Sequence, residues 1–198
     1  MKIAEPACYA LGMRIRPVTS TDVELLREID GTVESIDYLH MEQSGEGLSV
    51  GWRLEKRPLR QKLIQSNPMT DEAHFAAKQI AIGADDGFAL VAEHDDAPVG
   101  LMIAQPRFDS GTFEIIDLRI DYDHRRQGLA TAMIFQTIAA ARERELRAVT
   151  IQTRTNNFPA SQFLVKSSFD LAGIDTRRYS NHDVVKEVAT LIWYASLD

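Results

Sequence analysis

The chain has one cysteine, Cys8, in 198 residues. That excludes an intramolecular disulfide and any zinc site built on cysteines. Its five histidines (His40, His74, His94, His124 and His182) are scattered without metal-ligand spacing, so no metal is expected. No apolar run approaches the roughly 20 residues of a membrane span, and the amino terminus lacks an apolar core of signal-peptide length. A cytoplasmic location with no membrane partner is therefore expected. Internal repeats, low-complexity tracts and linkers are missing too. So is any basic excess: 22 Lys+Arg stand against 29 Asp+Glu, for a net charge of −7. This balance argues against a nucleic-acid partner. Residues 1–99 carry 10 Lys+Arg against 17 Asp+Glu, and residues 100–198 carry 12 against 12, so the whole acidic excess lies in the first half. An acidic half suits either a cationic substrate or a plain solvated surface.

What is present suffices for one globular domain. With 44% hydrophobic and 26% charged residues, the chain can bury a substantial core. A loose leader over residues 1–12 and a single domain over 13–198 are expected. Within the domain, Phe113 to Ala130 organises the rest. Phe113 to Ile120 alternates as a strand, with Ile116, Leu118 and Ile120 on one side and Asp117 and Arg119 on the other. Asp121 to His124 is turn-like, and Arg125-Arg126-Gln127-Gly128-Leu129-Ala130 runs directly into a helical pattern. A strand feeding a short basic loop that opens a helix suits a pyrophosphate. First-turn N–H groups point at the anion, the helix dipole favours negative charge, and two arginines add positive charge.

Along the chain, Met13 to Val18 reads as a short strand stopped by Pro17. Thr21-Asp22-Val23-Glu24 fits a capping box for a helix carrying Val23, Leu26 and Ile29, ended by Gly31. Tyr38–Met41 and Leu48–Leu54 are expected as strands around a turn at Ser44–Gly47. Thr70 caps a helix to about Ile82, ended by Gly83. Gly87–His94 and Val99–Ala104 form a hairpin around Asp95–Pro98. The central helix runs from Gly128 to about Leu146, with Ala130, Met133, Ile134, Ile138 and Ala141 as its buried stripe. Ala148–Thr155 is a strand, Ala160–Ser167 a short helix, and strands at Phe169–Ile174 and Glu187–Tyr194 complete the order. The fold class is thus α/β of mixed, α+β type: a mostly antiparallel sheet flanked by helices. It holds at least one parallel pair, since a strand–long helix–strand crossover returns parallel.

These residues resemble the GNAT acyltransferases. That family's cofactor motif, Arg/Gln-x-x-Gly-x-Gly/Ala after a strand, is matched by Arg125-x-x-Gly128-x-Ala130. Leu118-Arg119-Ile120 sits where the family's central strand offers backbone groups to the pantetheine arm. Asn157-x-x-Ala160 matches a cofactor-contacting Asn-x-x-Ala, and Phe169 falls at the family's Gly-Phe, with Ser168 in the glycine's place. A closer resemblance is to the streptothricin acetyltransferases. It rests on Gly173-Ile174-Asp175-Thr176-x-x-Tyr179, on Glu187-Val188-Ala189 with Trp193-Tyr194, and on Gly47-Leu48-Ser49 through Pro58-Leu59.

The resemblance implies a GNAT acyl-CoA N-acyltransferase fold with a splayed parallel strand pair. It also implies transfer of an acetyl group from acetyl-CoA, without a metal, to a primary amine of a small cationic molecule such as streptothricin. Another polyamine or a protein lysine is the alternative acceptor. Cofactor contacts are expected from Leu118, Arg119, Ile120, Arg125, Arg126, Gln127, Gly128, Leu129, Ala130 and Asn157, with a main-chain N–H near Leu118 facing the oxyanion. The amine must be neutral to attack, and Asp117 is a candidate acceptor of its proton, with pairing to an arginine as the plain alternative. The tyrosine that protonates the leaving thiolate in many members falls here on Leu164, which cannot donate. Tyr179 is the substitute candidate, and an acyl-CoA-binding sensor without turnover is the reading Leu164 favours. Glu34, Asp37, Glu42 and Glu55 are candidates to line an amine cleft, with Glu187 behind them. Homodimers are common in the family; nothing in the sequence demands one.

Overall fold

The computed structural model describes residues 7–9 and 12–197. The chain divides into two compact units, Met1–Thr32 with Ser66–Thr150 and Ser196–Asp198, and Val33–Gln65 with Ile151–Ala195. Of the expected leader, Ala7–Tyr9 and Gly12 are among the described residues. Ala7–Tyr9 forms strand β1, paired antiparallel with β2 (Met13–Pro17).

In the first unit β2 continues through β5 (Phe88–His94), β6 (Ala97–Arg107) and β7 (Thr112–Ile120) as an antiparallel meander. The β5–β6 turn is set by Asp95 and Asp96 at φ 50° and 62°, as a tight hairpin turn demands. Opposite residues of adjacent strands share a face. Leu101 and Ile103 on β6 pack with Ala73, Ala76 and Ala77 of α1 (Asp71–Ala81). Met102, between them, turns to α2 (Leu129–Glu143), where Thr137 Oγ1 lies 3.3 Å from its sulfur. The helices therefore cover opposite faces of the meander. The start of β8 (Ala148–Arg154) follows α2 as the next neighbour of β7 in the sheet. Arg147 N–H donates to Gly111 O at 2.8 Å, so both strands begin at one end and run parallel, as the crossover requires.

Two expectations are corrected in this unit. The alternation across β7 is broken by a register shift between its pairs with Ile103 and Ala104, which leaves Ile116 as an extra residue. Ile116 consequently packs on the α1-side cluster, with Asp117 and Arg119 rather than opposite them. The helix expected after Thr21 is only a 3-10 turn, Leu25–Glu28, without a side-chain cap. Asp22, not Thr21, organises the entry: it accepts from Thr19 N–H and Thr19 Oγ1, each at 2.7 Å, and from Arg16 at 2.7 and 2.8 Å. Val23, Leu26 and Ile29 are still buried, as their spacing requires. Gly31 is there for room, since a Cβ would stand 2.7 Å from Asn67 O and 3.3 Å from Arg119 Nη1.

The second unit contains a hairpin of β3 (Val33–Glu46) and β4 (Ser49–Gln65), far longer than the sequence suggests. Its turn is Gly47-Leu48, two residues beyond the midpoint of the expected Ser44–Gly47. α3 (Phe158–Lys166) packs beside β3, and β9 (Asp170–Asp175) pairs antiparallel with β10 (Thr190–Ser196). Glu187 lies in the turn before β10 rather than in a strand, with φ 58°. Among the described residues no helix is long and apolar enough to cross a membrane.

Candidate active site

The stretch after β7 builds a loop whose shape is fixed by its own side chains. Asp121 caps the short turn Tyr122–His124 by accepting from Asp123 N–H at 3.2 Å. It also accepts from Asp30 N–H at 3.1 Å and lies 3.2 Å from His124 Nδ1. Burial raises the Asp121 carboxyl, but these hydrogen bonds outweigh it and hold the group below its ordinary value. Arg125 turns back on the loop: its Nε donates to Ile120 O at 3.0 Å, its Nη2 to Asp30 O at 3.3 Å, and its guanidinium stacks 5.1 Å from the Tyr122 ring. Arg126 and Gln127 are exposed. Sequence reasoning offered both arginines to a phosphate; the fold turns Arg125 back as the staple and leaves Arg126 outward.

Arg126 at φ 61° and Gly128 at φ 83° bring the chain into α2. Such left-handed backbone turns successive N–H groups toward one concavity, the usual form of an anion cradle. A Cβ on Gly128 would meet no heavy atom within 4 Å. Glycine is needed there for its backbone angle, and the space beside it is open to an incoming group. α2 has no side-chain cap and no acidic residue in its first turn, so its N-terminal partial charge has no anion of its own. Leu129 is buried and Ala130 half-buried, which fixes the helix start against the core. The geometry fits a pyrophosphate.

On β7, Leu118 and Ile120 lie opposite Met102 and Gly100, on the α2 face. Asp117 and Arg119 point to the other face and pair at 2.7 and 2.9 Å, and Arg119 Nη1 donates to Asn67 O at 3.1 Å. Burial pushes the Asp117 carboxyl up, with the Arg119 hydrogen bonds and charge opposing. Both Asp117 oxygens are engaged by Arg119, which is the plain alternative named above.

The remaining candidates belong to the second unit. Asn157 Oδ1 accepts from Ala160 N–H at 3.3 Å, so Asn-x-x-Ala is here the N-cap of α3. Leu164 is 1% exposed and offers only packing. Tyr179 is neither in a strand nor packed away: it is 60% exposed, in a turn closed by Asp183, with the Arg154 guanidinium 4.4 Å from its ring. The hairpin acids are spoken for by hairpin bases: Glu34 by Lys62, Asp37 by Lys56, Glu42 by Arg57, and Glu55 by Arg53 and Arg57. Sequence reasoning missed Asp30 and Asp121, which hold the loop in shape. Only the Asp121-x-x-His124 turn left a trace that could have been read. Among the described residues no group of three or more His, Cys, Asp or Glu is placed to hold a metal ion.

Comparison with known proteins converges on one family. The family model described as "Acetyltransferase (GNAT) family" matches residues 53–169. Streptothricin acetyltransferase A of Bacillus subtilis (strain 168) is 31% identical over 80 residues, 40% of this chain and 46% of that protein. A streptothricin acetyltransferase of Escherichia coli is 32% identical over 75 residues, 38% of this chain and 43% of that protein. The match thus spans less than half the length of these curated relatives. Among solved structures, nourseothricin acetyltransferase superposes with a TM-score of 0.75 at 19% identity, covering 94% of this chain and 99% of that one. A Bacillus anthracis str. Ames protein in complex with acetyl coenzyme A gives 0.72 at 18%, covering 95% and 100%. At such identities the likeness is one of fold.

Proposed function

The chain belongs to the GNAT acetyltransferase family, whose model matches more than half of it, and from that premise we propose that it transfers the acetyl group of acetyl-CoA to a primary amine of a small cationic molecule, best represented by streptothricin. The observation that carries the reading is the loop after β7. There a left-handed Gly128 opens an uncapped α2 behind an outward Arg126. N–H groups from Arg126 to Ala130 hold the pyrophosphate, and backbone groups of Leu118 to Ile120 hold the pantetheine arm beside the amine. Asp117 serves to hold Arg119 rather than to move protons. Tyr179, an exposed hydroxyl, is the residue assigned to the departing thiolate, and Asn157, the N-cap of α3, is kept as a cofactor contact on the family's Asn-x-x-Ala. The two streptothricin acetyltransferase relatives support the substrate class. The enzyme is taken as cytoplasmic.

Buried Leu164 favours a second reading, an acyl-CoA sensor without turnover. One experiment separates the two. The purified protein is mixed with acetyl-CoA and streptothricin, beside a panel of other amines, and free thiol is followed. Fast release with streptothricin, lost in Gly128→Glu, is the expected outcome. Release only with other amines discards the antibiotic and keeps the chemistry. No release with any amine, while acetyl-CoA still raises the melting temperature, establishes the sensor.

A further inference from the structure

At one end of the first unit two imidazoles meet beside the loop that leads into α2. Strands β5, β6 and β7 run antiparallel in turn, so the end of β5, the start of β6 and the end of β7 lie together. Asp121 N–H, donating to Val99 O at 2.8 Å, ties the loop after β7 to that end. His94 closes β5 and His124 closes the loop's short turn. Their ring centroids stand 5.3 Å apart, the planes inclined by 58°, and both residues are half-buried. His124 Nδ1 lies 3.2 Å from Asp121 Oδ1, and its backbone N–H donates to Asp121 O at 3.0 Å. Asp121 accepts from Asp30 N–H, and Arg125, the residue after His124, donates to Asp30 O. The imidazole pair thus joins the β5–β6 hairpin to the fastening that brings the chain to Arg126 and Gly128. The acetyl-transfer reading uses neither ring.

The charges around the pair serve the two rings unequally. On the hairpin turn, Asp95 Oδ2 is 3.9 Å from His94 Nε2 and its side chain is 87% exposed. Asp96 is paired with Arg14 of β2, and Glu93 with Arg14 and Arg16. On the loop, Asp121 is the close carboxylate of His124, with Asp123 and Arg125 flanking the histidine in sequence. His124 therefore has an anion within hydrogen-bond reach and His94 does not. Imidazoles ordinarily change charge between about pH 5 and pH 8. Two in contact titrate as a pair, and the first proton opposes the second.

We propose that His94 and His124 are positioning residues that make acetyl-CoA binding sensitive to protons: with at most one added proton the pair braces the loop for the pyrophosphate, and a second drives the rings apart and loosens it. The proposal rests on the acetyl-CoA reading above. With no added proton, neutral His124 still donates Nδ1–H to Asp121. The first added proton makes that contact charge-assisted and places positive charge ahead of Arg125 and Arg126. The second goes to His94, leaving two like charges side by side. Their repulsion is relieved when His124 leaves the hairpin and takes Asp121, and so the entry to the cradle, with it. The loosened loop holds more protons than the braced one, so a falling pH favours it and the affinity for acetyl-CoA falls.

The test is the dissociation constant of acetyl-CoA, measured by calorimetry without any amine from about pH 8 to about pH 5.5. The 3′-phosphate of the ligand itself titrates near pH ~6, so the variants are read against the wild type. His94→Phe keeps a ring against His124 but takes no proton. It should match the wild type at the alkaline end, and over the range the wild type should weaken about 5- to 10-fold more than this variant does. His124→Gln, whose amide can donate to Asp121 without titrating, should be as flat as His94→Phe. If His124→Gln does not fold, His94→Phe decides alone. A merely structural role would weaken binding by one factor at every pH, so curves parallel to the wild type overturn the proposal and leave acetyl-CoA binding standing. A wild type that binds no acetyl-CoA at any pH overturns both.

Discussion

Single residues carry both a strain and a charge that can be tested without any substrate. Ser168 holds φ 63° at the end of α3, where its N–H donates to Val165 O at 3.2 Å and Phe169 N–H to Leu164 O at 3.0 Å. This is a Schellman end, with buried Leu164 and Phe169 as its apolar clasp. The position wants glycine. Ser168→Gly is expected to stabilise by about 1 kcal/mol, raising the melting temperature by roughly 2–4 °C; a fall would show that Ser168 is not strained. Asp22 is the opposite case, a residue well matched to its place. The Arg16 hydrogen bond, against burial and with help from Thr19, lowers its carboxyl to about 2. A depressed folded-state value means stability that is full above the ordinary carboxylate range and lost as pH falls through about 2. The amount is about 2 kcal/mol. Urea unfolding of the wild type should therefore weaken between about pH 4 and pH 2, and Asp22→Asn, weaker at neutral pH, should show a flatter decline there. Parallel curves would remove Asp22 from the account.

At the scale of elements, the loop from β7 to α2 is held by Asp121 and Arg125, both fastened to the backbone of Asp30. Asp121→Ala removes the carboxylate that fixes the entry to the cradle while leaving Gly128 and Arg126 in place. KM for acetyl-CoA should rise about tenfold with kcat within about twofold, since a misplaced N–H array costs binding before it costs chemistry. A rise in the amine's KM instead would place the loop on the wrong substrate. These elements differ in how far the sequence announced them. α1 was legible because Thr70 accepts from Ala73 N–H and Gly83 closes the end at φ 72°. The turn from β7 into α2 was legible because Gly128, at φ 83°, stands between a strand pattern and a helical one. The β3–β4 hairpin was legible in outline but not in length: its strands are extended by cross-strand pairs such as Lys62 with Glu34, mostly exposed, so neither face alternates. The Ile116 bulge was hidden because a one-residue slip leaves no mark in composition. The capping box at Thr21 misled because Arg16, distant from it in the pattern, claims Asp22.

The whole molecule adds a field that no single element has. Its net charge is −7, yet one of its proposed substrates is a cation and the other carries phosphates. The global field draws the first and repels the second, so in the proposed reaction acetyl-CoA would rely on short-range contacts with Arg126 and the α2 amides. Short-range contacts in a concave site are screened by salt far less than an approach through solvent. The Debye length falls from ~30 Å at 0.01 M to ~8 Å at 0.15 M salt. Over that range kcat/KM for a cationic amine should drop roughly 3- to 10-fold, whereas kcat/KM for acetyl-CoA should stay level or rise. Measuring both with the same enzyme preparation cancels any salt effect on stability. An equal fall for the two substrates would mean that salt acts on the protein rather than on encounter. No fall for the amine would mean that the acidic excess of residues 1–99 is a solvated surface, with recognition of the cation left to short-range contacts.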